Sequence, residues 1–273
     1  MPPQTRPRPA ISRLVAACPT DCRDYDAGRM TTMKARVADL LPRCVKDAIL
    51  NGLLRATVSW RLIRRRRSEF VSGYLTGMRG IEIGASSHNR FYLDAINVDR
   101  FGEDDTVYKR EERRLVLHAV KVDVVAPGDE LPFANDSYDF VFSSHVIEHF
   151  PDPIKALYEW VRVARRYVVV IAPHRDRTFD IDNPLTPAAE LVERHRGGIT
   201  SDVDRHWSVW TCESFIELCN TIGLHVTDRQ DPDDKVGNGF TVVIDAAASQ
   251  SPNRINRHTT TTTPPPAPQA RIG

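Results

Sequence analysis

Gly80-Ile81-Glu82-Ile83-Gly84-Ala85-Ser86-Ser87, followed by Ala95-Ile96-Asn97-Val98-Asp99-Arg100, is the stretch that decides how this chain is read. The first piece is a short apolar run closed by a glycine and two small hydroxyl residues. The second is another apolar run, ending in a carboxylate. In a doubly wound α/β sheet, a glycine at the end of the first strand lets a ligand approach the backbone. A carboxylate at the end of the second strand can accept hydrogen bonds from both ribose hydroxyls.

Working outward, residues 79 onward alternate strand and helix patterns, which predicts a mostly parallel sheet. Strands are expected at 80–84, 94–99, 116–125, 138–142 and 167–171, with a charged helix at about 104–114. Asp152-Pro153 opens a further helix, with Asp as cap and Pro in the first turn. Its apolar stripe is Ile154, Leu157, Val161 and Ala164. Phe215, Leu218, Cys219 and Ile222 mark a last helix that stops at Gly223, and strands near 224–229 and 239–245 finish the sheet.

Three regions lie outside this rhythm. Residues 33–78 read as a helical, basic extension with Pro42 as a break, and residues 1–32 have no periodicity. Met30-Thr31-Thr32-Met33 offers a second translation start, so 1–32 is expected to be disordered or not translated. Residues 173–209 are polar, rich in His, Asp and Arg, and too long for an ordinary connection. The threonine run and Pro264-Pro265-Pro266 make 247–273 a low-complexity tail.

The 273 residues carry a formal net charge of +1, which argues against a general nucleic-acid binder. The basic cluster Arg61 and Arg64 to Arg67 could meet an acidic surface or simply form a solvated helix face. No run approaches the roughly 18 apolar residues of a membrane span. Val15-Ala16-Ala17-Cys18 mimics a lipoprotein cleavage site, but Arg13 interrupts the apolar segment such a signal needs. Five scattered cysteines make no disulfide framework, and a cytoplasmic location is expected.

The segment from Gly128 to Pro153 is the most specific. It reads Gly128-Asp129-Glu130-Leu131-Pro132-Phe133, then Ser137-Tyr138-Asp139-Phe140-Val141, then Ser143-Ser144-His145-Val146-Ile147-Glu148-His149, then Asp152-Pro153. It resembles the class I methyltransferases that use S-adenosylmethionine, over roughly residues 79–246. The resemblance implies their Rossmann-like fold: a mostly parallel seven-stranded sheet with an antiparallel last strand and helices on both faces.

It also implies S-adenosylmethionine as cofactor. By position, Gly84, Ala85 and Ser86 would run beside its amino-acid and ribose portion, and Asp99 would hold the ribose hydroxyls. Asp129 would meet the adenine amino group, with Leu131 against the ring. Ser144 and His145 would line the pocket by the sulfonium, and Glu82 and Arg100 complete the expected cofactor set. Asp139 would be structural.

One departure from the family stands out. Gly84 and Asp99 are too close in sequence for the usual helix before the second strand, so the intervening residues must form a loop or a single turn. Ser86, Ser87, His88 or Arg90 would then hold the cofactor's carboxylate.

For the chemistry, His145, His149 and His174 are the candidate bases for an oxygen acceptor. The 173–209 segment, just past the fifth strand, is the expected acceptor lid. The acceptor would be a small molecule, sugar or lipid-linked compound. Two other readings stand beside this one. One is a catalytically silent member that binds cofactor or a partner. The other is a zinc metallohydrolase using His145-Glu148-His149, whose His-x-x-Glu-His spacing can bind zinc on a helix. The methyltransferase pattern accounts for the same residues and their flanks, so no metal is expected.

Overall fold

The computed structural model describes residues 67–102 and 106–249, together with 52, 53 and 56. The expectations for 1–32, for most of 33–78, for Arg61 and Arg64 to Arg66, and for 250–273 lie outside the described residues.

Seven strands form one sheet: β1 (Gly80–Ile83), β2 (Ala95–Asp99), β3 (Val124–Val125), β4 (Tyr138–Ser144), β5 (Ala164–Pro173), β6 (His225–Gln230) and β7 (Gly239–Asp245). Their spatial order is β3-β2-β1-β4-β5-β7-β6. β3 through β5 pair in parallel, and β7 runs antiparallel between β5 and β6. This is the expected Rossmann-like methyltransferase architecture. The parallel strands all end on one edge, and the order reverses between β1 and β4, so a ligand crevice is expected beyond Gly84.

Among the described residues, five helices accompany the sheet: α1 (Glu69–Leu75), α2 (Val107–Val116), α3 (Pro153–Val163), α4 (Ala188–Gly197) and α5 (Cys212–Thr221). Alternation along the strands sorts the core onto two faces. Ile81, Ile83 and Val141 pack with Ile154, Leu157, Trp160 and Val161 of α3 and with Phe215 and Leu218 of α5. Phe140, Phe142 and Val169 point the other way, against Val71 and Leu75 of α1 and Phe91. Gly80 has no side chain because the Phe140 ring occupies the space a Cβ would need.

Helix α3 begins as expected: Asp152 Oδ1 accepts the Lys155 N–H at 3.0 Å, and Pro153 opens the first turn. It also fixes the segment after β3. Trp160 Nε1 donates to Gly128 O at 2.7 Å, Glu159 Oε1 accepts the Leu131 N–H at 2.7 Å, and Arg162 donates to Phe133 O at 2.8 Å. Asp139 has its expected structural place, accepting from the Arg79 N–H and pairing with Arg165 at 2.7 Å.

Two expectations are corrected. The third strand does not run from 116 to 125. Helix α2 continues to Val116 and stops at Leu117, which has φ 68°. Residues 117–123 then run beside β2, held by Asn97: its Nδ2 donates to Lys121 O at 2.7 Å, and its backbone N–H donates to Asp123 Oδ2 at 3.1 Å. Ladder pairing begins only at Val124.

Ala164 is not on the α3 stripe. It starts β5, which runs Ala164–Pro173 and so begins before the expected 167. The 173–209 segment has regular structure of its own. It contains 3-10 turns at Arg175–Arg177 and Phe179–Asp182, and then α4, whose Leu191 is fully buried against the core. Its apolar contacts with the core come from that leucine and its partly buried neighbours Ala188 and Val192, too weak an apolar pattern to stand out in a polar stretch.

Candidate functional site

Gly84 follows β1 with φ +66°, a conformation open to glycine at little cost. A Cβ there would come within 2.8 Å of Val146 Cγ2, so the β1 end and the β4 end touch at this point. The chain then makes one 3-10 turn, Ser87–Asn89, in place of a helix, as the short spacing to Asp99 requires. The turn is held from β2: Asn97 Oδ1 accepts the Ala85 N–H at 3.2 Å. Ser86 precedes the turn, and Ser87 is buried with no hydrogen-bond partner for its Oγ.

Glu82 and Asn97 occupy paired positions on β1 and β2, on the Phe142 face. Burial pushes the Glu82 carboxyl up to about 7, although the charges of Arg90 and Lys235 oppose the shift. Lys235 Nζ donates to Arg90 O at 2.7 Å and sits over the Phe91 ring, closing this side of the β1 end. At the end of β2, Asp99 Oδ1 accepts the Phe101 N–H at 2.9 Å. Burial raises its pKa, and the backbone bond to Phe101 opposes that.

Asp129 pairs with Lys155 Nζ at 2.9 Å. Leu131 is 5% exposed, belongs to the α3-side core, and also lines a shallow depression with Ala126, Pro127 and Glu130. Past β4, His145 takes φ 55°, with Ser144 Oγ 3.3 Å from its Nδ1 and its Nε2 buried without a partner.

The three candidate bases are not brought together. His174 is turned toward β7: its Nδ1 accepts the Asp176 N–H, its Nε2 lies 3.8 Å from Asp231, and its ring meets Phe240 edge-on. Burial lowers its pKa, and the Arg177 charge adds to that.

His149 instead joins the returning half of the 173–209 segment. Its Nδ1 is 2.9 Å from Asp204 Oδ1, and Asp204 also accepts the Tyr108 hydroxyl. Burial pulls the His149 imidazole down, but Asp204 and Glu148 outweigh it and leave its pKa raised. Nearby, Arg100 pairs with Asp202, and the Trp207 N–H donates to Glu148 O at 2.7 Å. The segment therefore lies across the ends of β2 and β4.

The zinc-hydrolase spacing does not survive this geometry. Only Ile147–His149 is helical, as a 3-10 turn, so His145 and His149 do not share the face of an α-helix.

Residues 83–172 match the family model described as Methyltransferase domain. Over that stretch the chain carries a methyltransferase domain. Solved structures similar to it include three methyltransferases. One is an S-adenosylmethionine-dependent enzyme of Thermotoga maritima, described as a possible histamine N-methyltransferase. It is 20% identical, with 72% of this chain and 98% of that one covered and a TM-score of 0.42. Another, from Aquifex aeolicus, is 15% identical over 66% of this chain and 89% of that one, with a TM-score of 0.40. The third is the magnesium protoporphyrin IX methyltransferase of Synechocystis with bound S-adenosylhomocysteine, 11% identical over 81% and 90%, with a TM-score of 0.36. No curated protein matches the chain.

The methyltransferase domain uses S-adenosylmethionine, and the residues present fit it. A positive-φ glycine turns the chain at the end of β1, Asp99 presents a carboxylate at the end of β2, and the buried Nε2 of His145 has no partner within the protein. Sequence reasoning missed Asn97, Tyr108 and Lys235. Asn97 did leave a signal, as a polar residue inside an apolar strand. Tyr108 and Lys235 left none, since both act across gaps of many residues. No helix among the described residues is long and apolar enough to cross a membrane.

Proposed function

We propose that this methyltransferase acts on a small polar acceptor, a free small molecule, a sugar or a lipid-linked intermediate, that enters beneath residues 173–209. The supporting observation is the polar roof over the strand ends: Arg100 with Asp202, and Tyr108 and His149 with Asp204. Such groups offer hydrogen bonds to hydroxyl or amine groups of an acceptor.

Bound S-adenosylmethionine supplies a methyl group already activated on a sulfonium. The chain's own task is to align the acceptor and exclude water. Asp99 would fix the ribose. Gly84 would keep the backbone approachable. For a hydroxyl acceptor, His145 would take the proton as the oxygen–carbon bond forms and the carbon–sulfur bond breaks. His174, buried against Phe240 and beside Asp231, is better suited to holding the end of β5.

The test is methyl transfer from labelled S-adenosylmethionine to separated small-molecule, glycan, lipid, protein and nucleic-acid fractions. Label in the first three classes supports the reading; label confined to protein or nucleic acid overturns it.

A further inference from the structure

Glu148, His149 and His206 offer one ligand atom each, all within 4.8 Å of one another. They come from the turn after β4 and from the far end of the 173–209 segment, and two further features give the group a direction.

The first is the state of the imidazoles. His149 Nδ1 is bonded to Asp204 Oδ1 at 2.9 Å, and His206 Nδ1 to Asp180 Oδ2 at 2.7 Å. A carboxylate on Nδ1 holds the proton there and leaves the Nε2 lone pair outward, which is how metal-ligating histidines are oriented. Asp180 is itself 2% exposed and fixed by Asn183 Nδ2 at 2.8 Å, so the His206 ring is held firmly. The two rings meet edge-on, with centroids 4.9 Å apart.

The second is Glu148. Its side chain is 1% exposed, its Oε1 lies 4.0 Å from His149 Nε2, and its Oε2 has no hydrogen-bond partner. That 4.0 Å approach to His149 Nε2 is too long for a hydrogen bond, so the imidazole does not satisfy the carboxylate. A buried carboxylate with an unsatisfied oxygen is costly. A cation between the two Nε2 atoms and the carboxylate would satisfy all three groups.

We propose that Glu148, His149 and His206 bind a divalent first-row transition-metal ion. Two imidazoles and a carboxylate suit zinc, manganese, iron or cobalt, whereas magnesium and calcium prefer oxygen ligands alone. Metal–ligand bonds of about 2.0–2.2 Å require only a modest closing of the three groups. Three protein ligands leave coordination positions open. Resting on the methyltransferase reading, those positions would receive an oxygen of the acceptor and present it at the strand ends. The site uses His206 in place of His145, so it differs from the His-x-x-Glu-His set.

The experiment uses the full chain, stripped with a chelator and titrated with Co²⁺ by absorbance and with Mn²⁺ by electron paramagnetic resonance. S-adenosylhomocysteine binding is measured separately by calorimetry. One bound ion per chain is expected, with affinity at least 10-fold weaker in both His206→Ala and Glu148→Gln. Retained S-adenosylhomocysteine binding certifies that each variant is folded, and Asp180→Asn, which should weaken the ion less, serves if one is not. No binding of Co²⁺ or Mn²⁺, or binding unchanged in the folded variants, overturns the proposal. Loss of S-adenosylhomocysteine binding by the wild-type chain would instead count against the cofactor reading alone.

Discussion

Asp204 Oδ1 lies 2.9 Å from His149 Nδ1, joining a residue of the turn after β4 to one far along the chain. The same carboxylate accepts the Tyr108 hydroxyl from α2, so one exposed side chain ties three elements together. Its pKa is lowered chiefly by the bond to His149, which means it stays ionised at neutral pH. Asp204→Asn removes that charge from both bonds and should loosen residues 199–206. Trypsin cleavage after the adjacent exposed Arg205 should then become several-fold faster at neutral pH. Unchanged cleavage kinetics would show that the segment is held by other contacts.

Asp99 is the carboxylate expected to carry cofactor affinity. Charge-assisted hydrogen bonds contribute roughly 1.5–3 kcal/mol each, so Asp99→Ala should weaken S-adenosylhomocysteine binding by at least 10-fold. Calorimetry reads this directly. An unaltered Kd would move the ribose site away from the end of β2.

Gly84 combines φ +66° with a crowded Cβ position 2.8 Å from Val146. Gly84→Ala should therefore lower stability by roughly 1–3 kcal/mol, a cost that includes the left-handed backbone penalty. Gly197, at the end of α4, meets nothing within 4 Å of its Cβ position and serves as the contrast. Gly197→Ala should shift the melting temperature little, or upward. Equal effects of the two substitutions would remove the argument for a close approach of β1 and β4.

Glu82 gives a pH dependence. Its carboxyl rises from an ordinary 4.5 to about 7 on folding, mainly through burial. The folded chain then holds the proton more tightly than the unfolded chain. That contribution to stability is full below pH 4.5 and is lost as pH rises through 7. Glu82→Gln stays neutral throughout. It should be more stable than the wild type by roughly 1–3 kcal/mol at pH 8, with the gap closing toward pH 5. Melts of the cofactor-free protein at the two pH values check this, and a pH-independent difference would contradict it.

The legible parts of the fold were those written locally. Asp152 and Pro153 announce the start of α3 because a cap and a fixed φ act within one turn. β5 and β7 announce themselves because strands covered on both faces are apolar throughout. The absence of a helix between β1 and β2 followed from spacing alone, since a chain of given length reaches only so far. The third strand misled because Val116 to Val125 is rich in β-branched and apolar residues, yet its first residues close α2 and the rest is tied to β2 through Asn97 before ladder pairing starts at Val124.

By itself, then, the sequence determined the sheet, its glycine-ended first strand, the acidic end of its second and the family segment from Gly128 to Pro153. Those features are set by periodicity, caps and chain reach, which act between near neighbours. Only the tertiary structure decided which histidine meets which carboxylate. It separated His174 from His149, gave His206 to Asp180, and placed both His149 and His206 beside a buried Glu148. The physical reason is that hydrogen bonds and metal ligation act over a few ångströms in space. Which residues come within that range depends on how 173–209 folds back across the strand ends.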